Sequence, residues 1–168
     1  MQRKTRIEIS TVMPVDVQVD AALGVAVALP THRFEEALAA VRAEIDDARL
    51  SAELCVRLCG DEESRQLNQQ YRGQDKPTNV LSFPVSAEFV GVPGIALLGD
   101  LAICWPRVQQ EAVAQSKPVE HHLTHLFVHG VLHLLGHDHV ETIAAQTMEA
   151  LEIRILRRLH IADPYTLD

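Results

Sequence analysis

HGVLHLLGHDH, residues 129–139, places four histidines and an aspartate at the end of the apolar run LFVHGVLHLL. His129 and His133 are four residues apart, which on an α-helix sets both imidazoles on one face, one turn from each other. Gly136 suits the left-handed turn that closes such a helix, because it carries no Cβ penalty. The reversed chain then returns His139 toward the same face. Several imidazoles buried together in an apolar helix are costly unless something pairs with them, so a metal is expected. Three nitrogen ligands with a fourth position left for water describe a catalytic zinc, since a structural site is closed by a fourth protein ligand. Nickel and copper also accept such a set. His137 competes as third ligand, but His139 holds the Gly-x-x-His spacing. Asp138 either orients a ligand imidazole or only holds the turn. His125, one turn before His129, either joins the site or bonds a carboxylate, while His121 and His122 are expected at the surface near the helix start.

The spacing HxxxHxxGxxH is also that of metzincin proteases, and there the likeness fails at one residue. Their general base is a glutamate directly after the first histidine; this chain has Gly130. Without a carboxylate beside the metal, peptide hydrolysis of that type loses its proton acceptor, so the stretch predicts a metal helix without a protease.

Outward from this helix, Pro118 marks its start and the pattern covers about 119–135. Ala144, Met148, Leu151, Ile155 and Leu159 repeat at helical spacing and predict a last helix over 141–159, followed by a C-terminal tail, 161–168, that is expected to be loose after Asp163-Pro164. Upstream, Pro106 opens a helix running to about Gln115. Strand period appears in Val15, Val17 and Val19, again over 52–59 (AELCVRLC), in VLSFP (80–84) and in LLGDLAIC (97–104). The segment between the last two, 85–95, contains Gly91, Pro93 and Gly94 and suits a turn between antiparallel neighbours. Thr31 can cap a helix over 32–48, and Asp61 a short helix over 62–71. GVAVALP (24–30) either extends the first strand or connects it onward. The expected architecture is α+β: a small mixed four-stranded sheet packed with about five helices, the metal helix crossing the core. Residues 1–14, with Arg3, Lys4 and Arg6, read as an N-terminal extension to a single domain over 15–160.

The 168 residues are enough for one ordinary domain, and an apolar content of 47% argues against disorder. No apolar run approaches a membrane span and no signal-peptide core follows the basic start, so a cytoplasmic chain is expected. Cys55, Cys59 and Cys104 contain no CxxC and read as reduced, buried small hydrophobes. A net charge of −8 counts against indiscriminate nucleic-acid binding, so any RNA reading must rest on local charge.

Local charge is found in YRGQDKPTNVLSFP, residues 71–84, a cationic, hydroxyl-rich loop entering a strand. Arg72 offers a planar fork of donors suited to phosphate oxygens and Lys76 a point charge. On chemistry alone this loop could equally be a capped helix end and a polar turn. Taken together, YRGQDKPTNVLSFP, LLGDLAIC and HLFVHGVLHLLGHDH resemble the YbeY family of metal-dependent endoribonucleases, which serve ribosomal RNA maturation. The resemblance covers about residues 15–160 and departs at His137, where the family often has tyrosine.

By that resemblance the fold is a mixed four-stranded sheet with a zincin-like metal helix. His129, His133 and His139 are the metal ligands, and Arg72 stands at the family's functionally important arginine. The implied cofactor is one Zn2+ per chain. The implied partners are single-stranded RNA, ribosomal RNA precursors and the ribosome or its small subunit, with no membrane and a monomeric chain. Two other readings keep the metal: a hydrolase of another ester, and a ribosome-associated assembly factor whose metal is mainly structural. The overall acidity suits the second of these.

Overall fold

The computed structural model describes residues 15–24, 32–94 and 96–166. Thr31, most of GVAVALP, the basic residues Arg3, Lys4 and Arg6 and the last two residues lie outside them. Four strands form one sheet in the order β1-β2-β4-β3: β1 Val15–Val19, β2 Glu53–Cys59, β3 Val80–Pro84 and β4 Leu97–Cys104. β1, β2 and β4 run parallel, and β3 pairs antiparallel to β4 at the edge. The mixed sheet follows from connection length. β1 reaches β2 through α1, His32–Glu44, whereas the turn after β3 is too short for a crossover helix. The remaining helices are α2 Asp61–Arg72, α3 Trp105–Ala114, α4 Val119–Leu134 and α5 Thr142–Arg158. The chain is thus an α+β fold with four strands and five α-helices among its described residues.

Strand alternation divides the sheet into two faces. Leu54, Val56 and Leu58 of β2 and Leu101 and Ile103 of β4 are buried in the core with Phe127, Val128, Val131 and Leu132 of α4. The other face carries Cys55, Arg57 and Cys59, with α2 lying against β4. α4 is apolar almost all round, as expected of a helix enclosed by the core, and it packs on β3, β4, α1, α3 and α5.

Gly130 permits the closest approach. A Cβ there would stand 2.8 Å from Leu101 Cδ2 and 3.4 Å from Ser82 Oγ, so only a hydrogen lets the helix seat on the sheet. The position after the first histidine therefore faces the sheet. A glutamate at that position would be driven into Leu101, which gives a packing reason for the missing protease base.

Several boundaries differ from the sequence reading. α1 ends at Glu44 and not near 48, because the Asp47 carboxylate takes the Arg49 amide and starts a separate 3-10 turn, Ala48–Ser51. Asp61 is not the cap of α2 but its first residue. Gly60 holds the cap position, and the Asp61 carboxylate accepts from Arg107 Nε at 2.9 Å. The segment after α5 is not loose through Thr166: Ile161 joins the core, and Lys117 Nζ donates to the Pro164 carbonyl at 2.9 Å. The three cysteines are free thiols, as expected, with Cys59 and Cys104 buried; Cys55 is half-buried and not buried, because it lies on the other face of β2 from the core. No helix among the described residues is long and apolar enough to cross a membrane.

Candidate metal centre

His129 and His133 project from one face of α4, and Gly136 with φ +92° reverses the chain after it. The turn is tied by the Gly136 amide to the His133 carbonyl at 3.0 Å and the His137 amide to the Leu132 carbonyl at 3.0 Å. The Asp138 carboxylate then accepts from the amides of His139 and Val140, at 2.6 and 3.2 Å. These bonds settle what Asp138 does: it holds the turn, and its Oδ1 stays 3.9 Å from His139 Nδ1.

The result is one cluster. His129, His133 and His139 each offer a ligand atom, and these atoms lie within 4.8 Å of one another, the one group among the described residues that could hold a metal ion. The Nε2 atoms of His129 and His133 face each other at 3.1 Å. Two neutral imidazole nitrogens can share that gap only if one donates, whereas a cation satisfies both, so the donor set fits a metal. Burial, reinforced by the charges His129 and His139 would carry, pushes the His133 imidazole below its usual pKa and favours the neutral, ligating form.

Beneath the triad is a carboxylate the sequence reading did not single out. Glu152 of α5 is 0% exposed, and its Oε1 takes the proton of His129 Nδ1 at 2.6 Å. That bond fixes the tautomer and turns His129 Nε2 toward its partners. The Tyr165 hydroxyl donates to Glu152 Oε2, and His125 Nε2 lies 3.7 Å from the same oxygen. Burial alone would raise the Glu152 pKa; hydrogen bonds from His125, His129 and Tyr165 more than offset it and bring the carboxyl down to about 2. His125 therefore stands beside a carboxylate and outside the triad. A signal for Glu152 did exist: it sits between Met148, Leu151 and Ile155 on the buried stripe of α5, where a charge needs a partner. Tyr165 carried no periodicity to reveal it.

The other histidines separate. His122 is 4% exposed and not a surface residue, because Glu111 of α3 binds its Nε2 at 2.7 Å while Asn79 donates to the same carboxylate. His121 and His137 are half-buried and outside the triad.

Arg72 is not in contact with the histidines. It ends α2, exposed, and lines a cleft of about 590 Å³ with Leu67, Tyr71, Leu81, Phe83 and Asp100. Ser82 of the edge strand lines the same cleft and also touches the triad helix. Leu81 and Phe83 face α2, where the Phe83 ring meets Tyr71 edge-on at 4.9 Å, while the Ser82 hydroxyl donates to the Gly130 carbonyl of α4 at 3.2 Å. Arg72 makes no ion pair among the described residues. Asp100 opens into the same cleft, and partial burial pushes its carboxyl above the usual range.

The chain also matches known proteins in sequence and fold. The family model for endoribonuclease YbeY matches residues 26–160. An endoribonuclease YbeY from Chromohalobacter salexigens is 55% identical over 113 residues, 67% of this chain and 72% of that one. Among solved structures, that of TM1509 from Thermotoga maritima superposes with a TM-score of 0.53 at 25% identity, covering 91% of this chain and 99% of the other.

Proposed function

This chain belongs to the endoribonuclease YbeY family, and on that premise we propose that it is a zinc-dependent, single-strand-specific endoribonuclease that matures the 3′ end of 16S ribosomal RNA and serves ribosome quality control in the cytoplasm. The observation that carries the reading is the convergence of His129, His133 and His139 in one cluster, with an open cleft whose Arg72 makes no ion pair among the described residues.

Zinc held by the three histidines would lower the pKa of a water toward neutrality or polarise a phosphoryl oxygen. The protein's own residues do the rest. Glu152 holds His129 in the tautomer whose Nε2 faces His133, so the triad needs little rearrangement to ligate. Gly130 leaves the position next to His129 without the glutamate that metzincins use as base, and Glu152, engaged with His129 Nδ1, serves to orient that ligand. Arg72 presents a fork of donors to phosphoryl charge as the phosphodiester is cleaved. The open cleft along β3 suits an extended strand, whose bases are free to enter it, whereas the bases of a duplex are already paired and stacked.

The test uses the full chain stripped of metal, assayed on single-stranded and duplex RNA, then reloaded with zinc. Cleavage of the single strand is expected to vanish and return, and to be lost in His133→Ala and Arg72→Ala. Cleavage unchanged in both variants would assign it to a contaminant. A stripped chain that unfolds, with a loaded chain that never cuts, would favour a structural metal. Co-sedimentation with small ribosomal subunits tests the partner.

A further inference from the structure

The cleft on the α2 side of β3 has a composition that phosphate binding does not explain. Its floor is apolar, from Leu67, Leu81 and Phe83, and its wall is Tyr71, 60% exposed with its ring packed edge-on against Phe83. The charged groups that line it are Arg72 and Asp100, and the Ser82 hydroxyl lies along the same strand as Phe83. Arg72 follows Tyr71 at the end of α2, and Asp100 stands directly opposite Phe83 in the β3–β4 register. An exposed aromatic face over an apolar floor suits a flat ring, and a guanidinium beside it suits that ring's phosphate. A carboxylate does not suit phosphate at all. It suits hydrogen-bond donors on the edge of the ring.

We propose that Tyr71, Phe83 and Asp100 form a nucleobase subsite selective for guanine, seating a nucleotide that flanks the scissile bond. The proposal rests on the ribonuclease reading and names what that enzyme would recognise. The flanking position follows from the strand: Phe83 and Asp100 stand beside Tyr71 of α2, whereas Ser82, which also lines the cleft, bonds the triad helix at Gly130, so a base seated on Phe83 lies one step along the cleft from the histidines. Guanine follows from donor count. Its N1–H and N2 amino group lie side by side and can meet both carboxylate oxygens. Adenine and cytosine offer one amino group on that edge beside an acceptor nitrogen, and uracil offers an imino N–H flanked by carbonyls that the carboxylate repels. Tyr71 stacks without regard to sequence, so it supplies affinity, and Asp100 supplies the choice. The cleft volume of about 590 Å³ falls within the ordinary range for small-ligand sites.

Nuclear magnetic resonance titration of the full chain with GMP, AMP, CMP and UMP, followed through backbone amides, tests this without any cleavage. GMP is expected to move the amides of Tyr71, Phe83 and Asp100 and to bind at least about fivefold more tightly than UMP. Tyr71→Ala, a change at an exposed residue, is expected to weaken all four nucleotides about tenfold. Asp100→Asn is expected to remove the GMP preference while keeping the stacking affinity. Equal binding of the four nucleotides, shifts confined to residues outside this cleft, no binding, or a guanine preference that survives Asp100→Asn would each overturn the subsite. RNA cleavage that persists alongside any of these sinks the subsite alone. Guanine-selective binding by a chain that never cuts RNA sinks the nuclease and leaves the subsite standing.

Discussion

The two sides of strand β3 are built on opposite principles. On the α4 side, His129 is held by Glu152, a carboxylate with no exposed surface that Tyr165 also bonds, and His139 is placed by a tied turn. On the α2 side, Tyr71 and Arg72 stand exposed at a helix end, and Arg72 has no ion-pair partner among the described residues. The first side is organised before any ligand arrives; the second offers polar groups that only a ligand would complete. Chemistry needs donors fixed within fractions of an ångström, whereas an incoming strand needs open surface.

That contrast predicts which variants separate binding of metal from handling of RNA. His133→Ala removes a ligand, so ribonuclease activity is expected to fall to background and metal content, measured by elemental analysis, to fall with it. Arg72→Ala is expected to lower kcat by about 10²–10³ while metal content and melting temperature stay as in the parent. If Arg72→Ala also lost the metal, the two sides would be one site and the contrast would be wrong.

How much of this was legible in the sequence follows the same division. The triad could be read because a helix converts spacing into direction: residues four apart and a glycine turn suffice. The order and sense of β3 and β4 could be read because 85–95 leaves no room for a helix. Glu152 could not be read as the partner of His129, nor Tyr165 as that of Glu152, since these contacts span 23 and 13 residues and only the packing of α5 brings them together. His122 was misplaced for the same reason; its partner Glu111 belongs to another helix. Arg72 was legible as a residue type and not as a place, because only the packing of α2 beside β3 decides which cleft the helix end lines.

The buried carboxylate gives the next test. Glu152→Gln preserves shape and a bond to His129 Nδ1 but removes the charge that favours the ligating tautomer. Zinc affinity, measured by chelator competition, is expected to weaken about 10–100-fold, with the circular dichroism spectrum unchanged. Affinity equal to the parent would mean that the α4 side is ordered by packing alone and that Glu152 merely fills space.

Tyr165→Phe probes the outermost part of the same support and should have the smallest effect. The hydroxyl donates to a buried charge, which would be worth more than a neutral bond, but Tyr165 itself is 42% exposed, and water can take the place of its proton. The expected cost is about 1 kcal/mol, read as a melting temperature lower by about 2–4 °C for a chain of this length. Zinc affinity should change less than in Glu152→Gln, because His129 keeps its carboxylate. A loss of affinity as large as that of Glu152→Gln would show that residues 161–166 hold the metal side together and that the organised side of β3 extends to the last described residues of the chain.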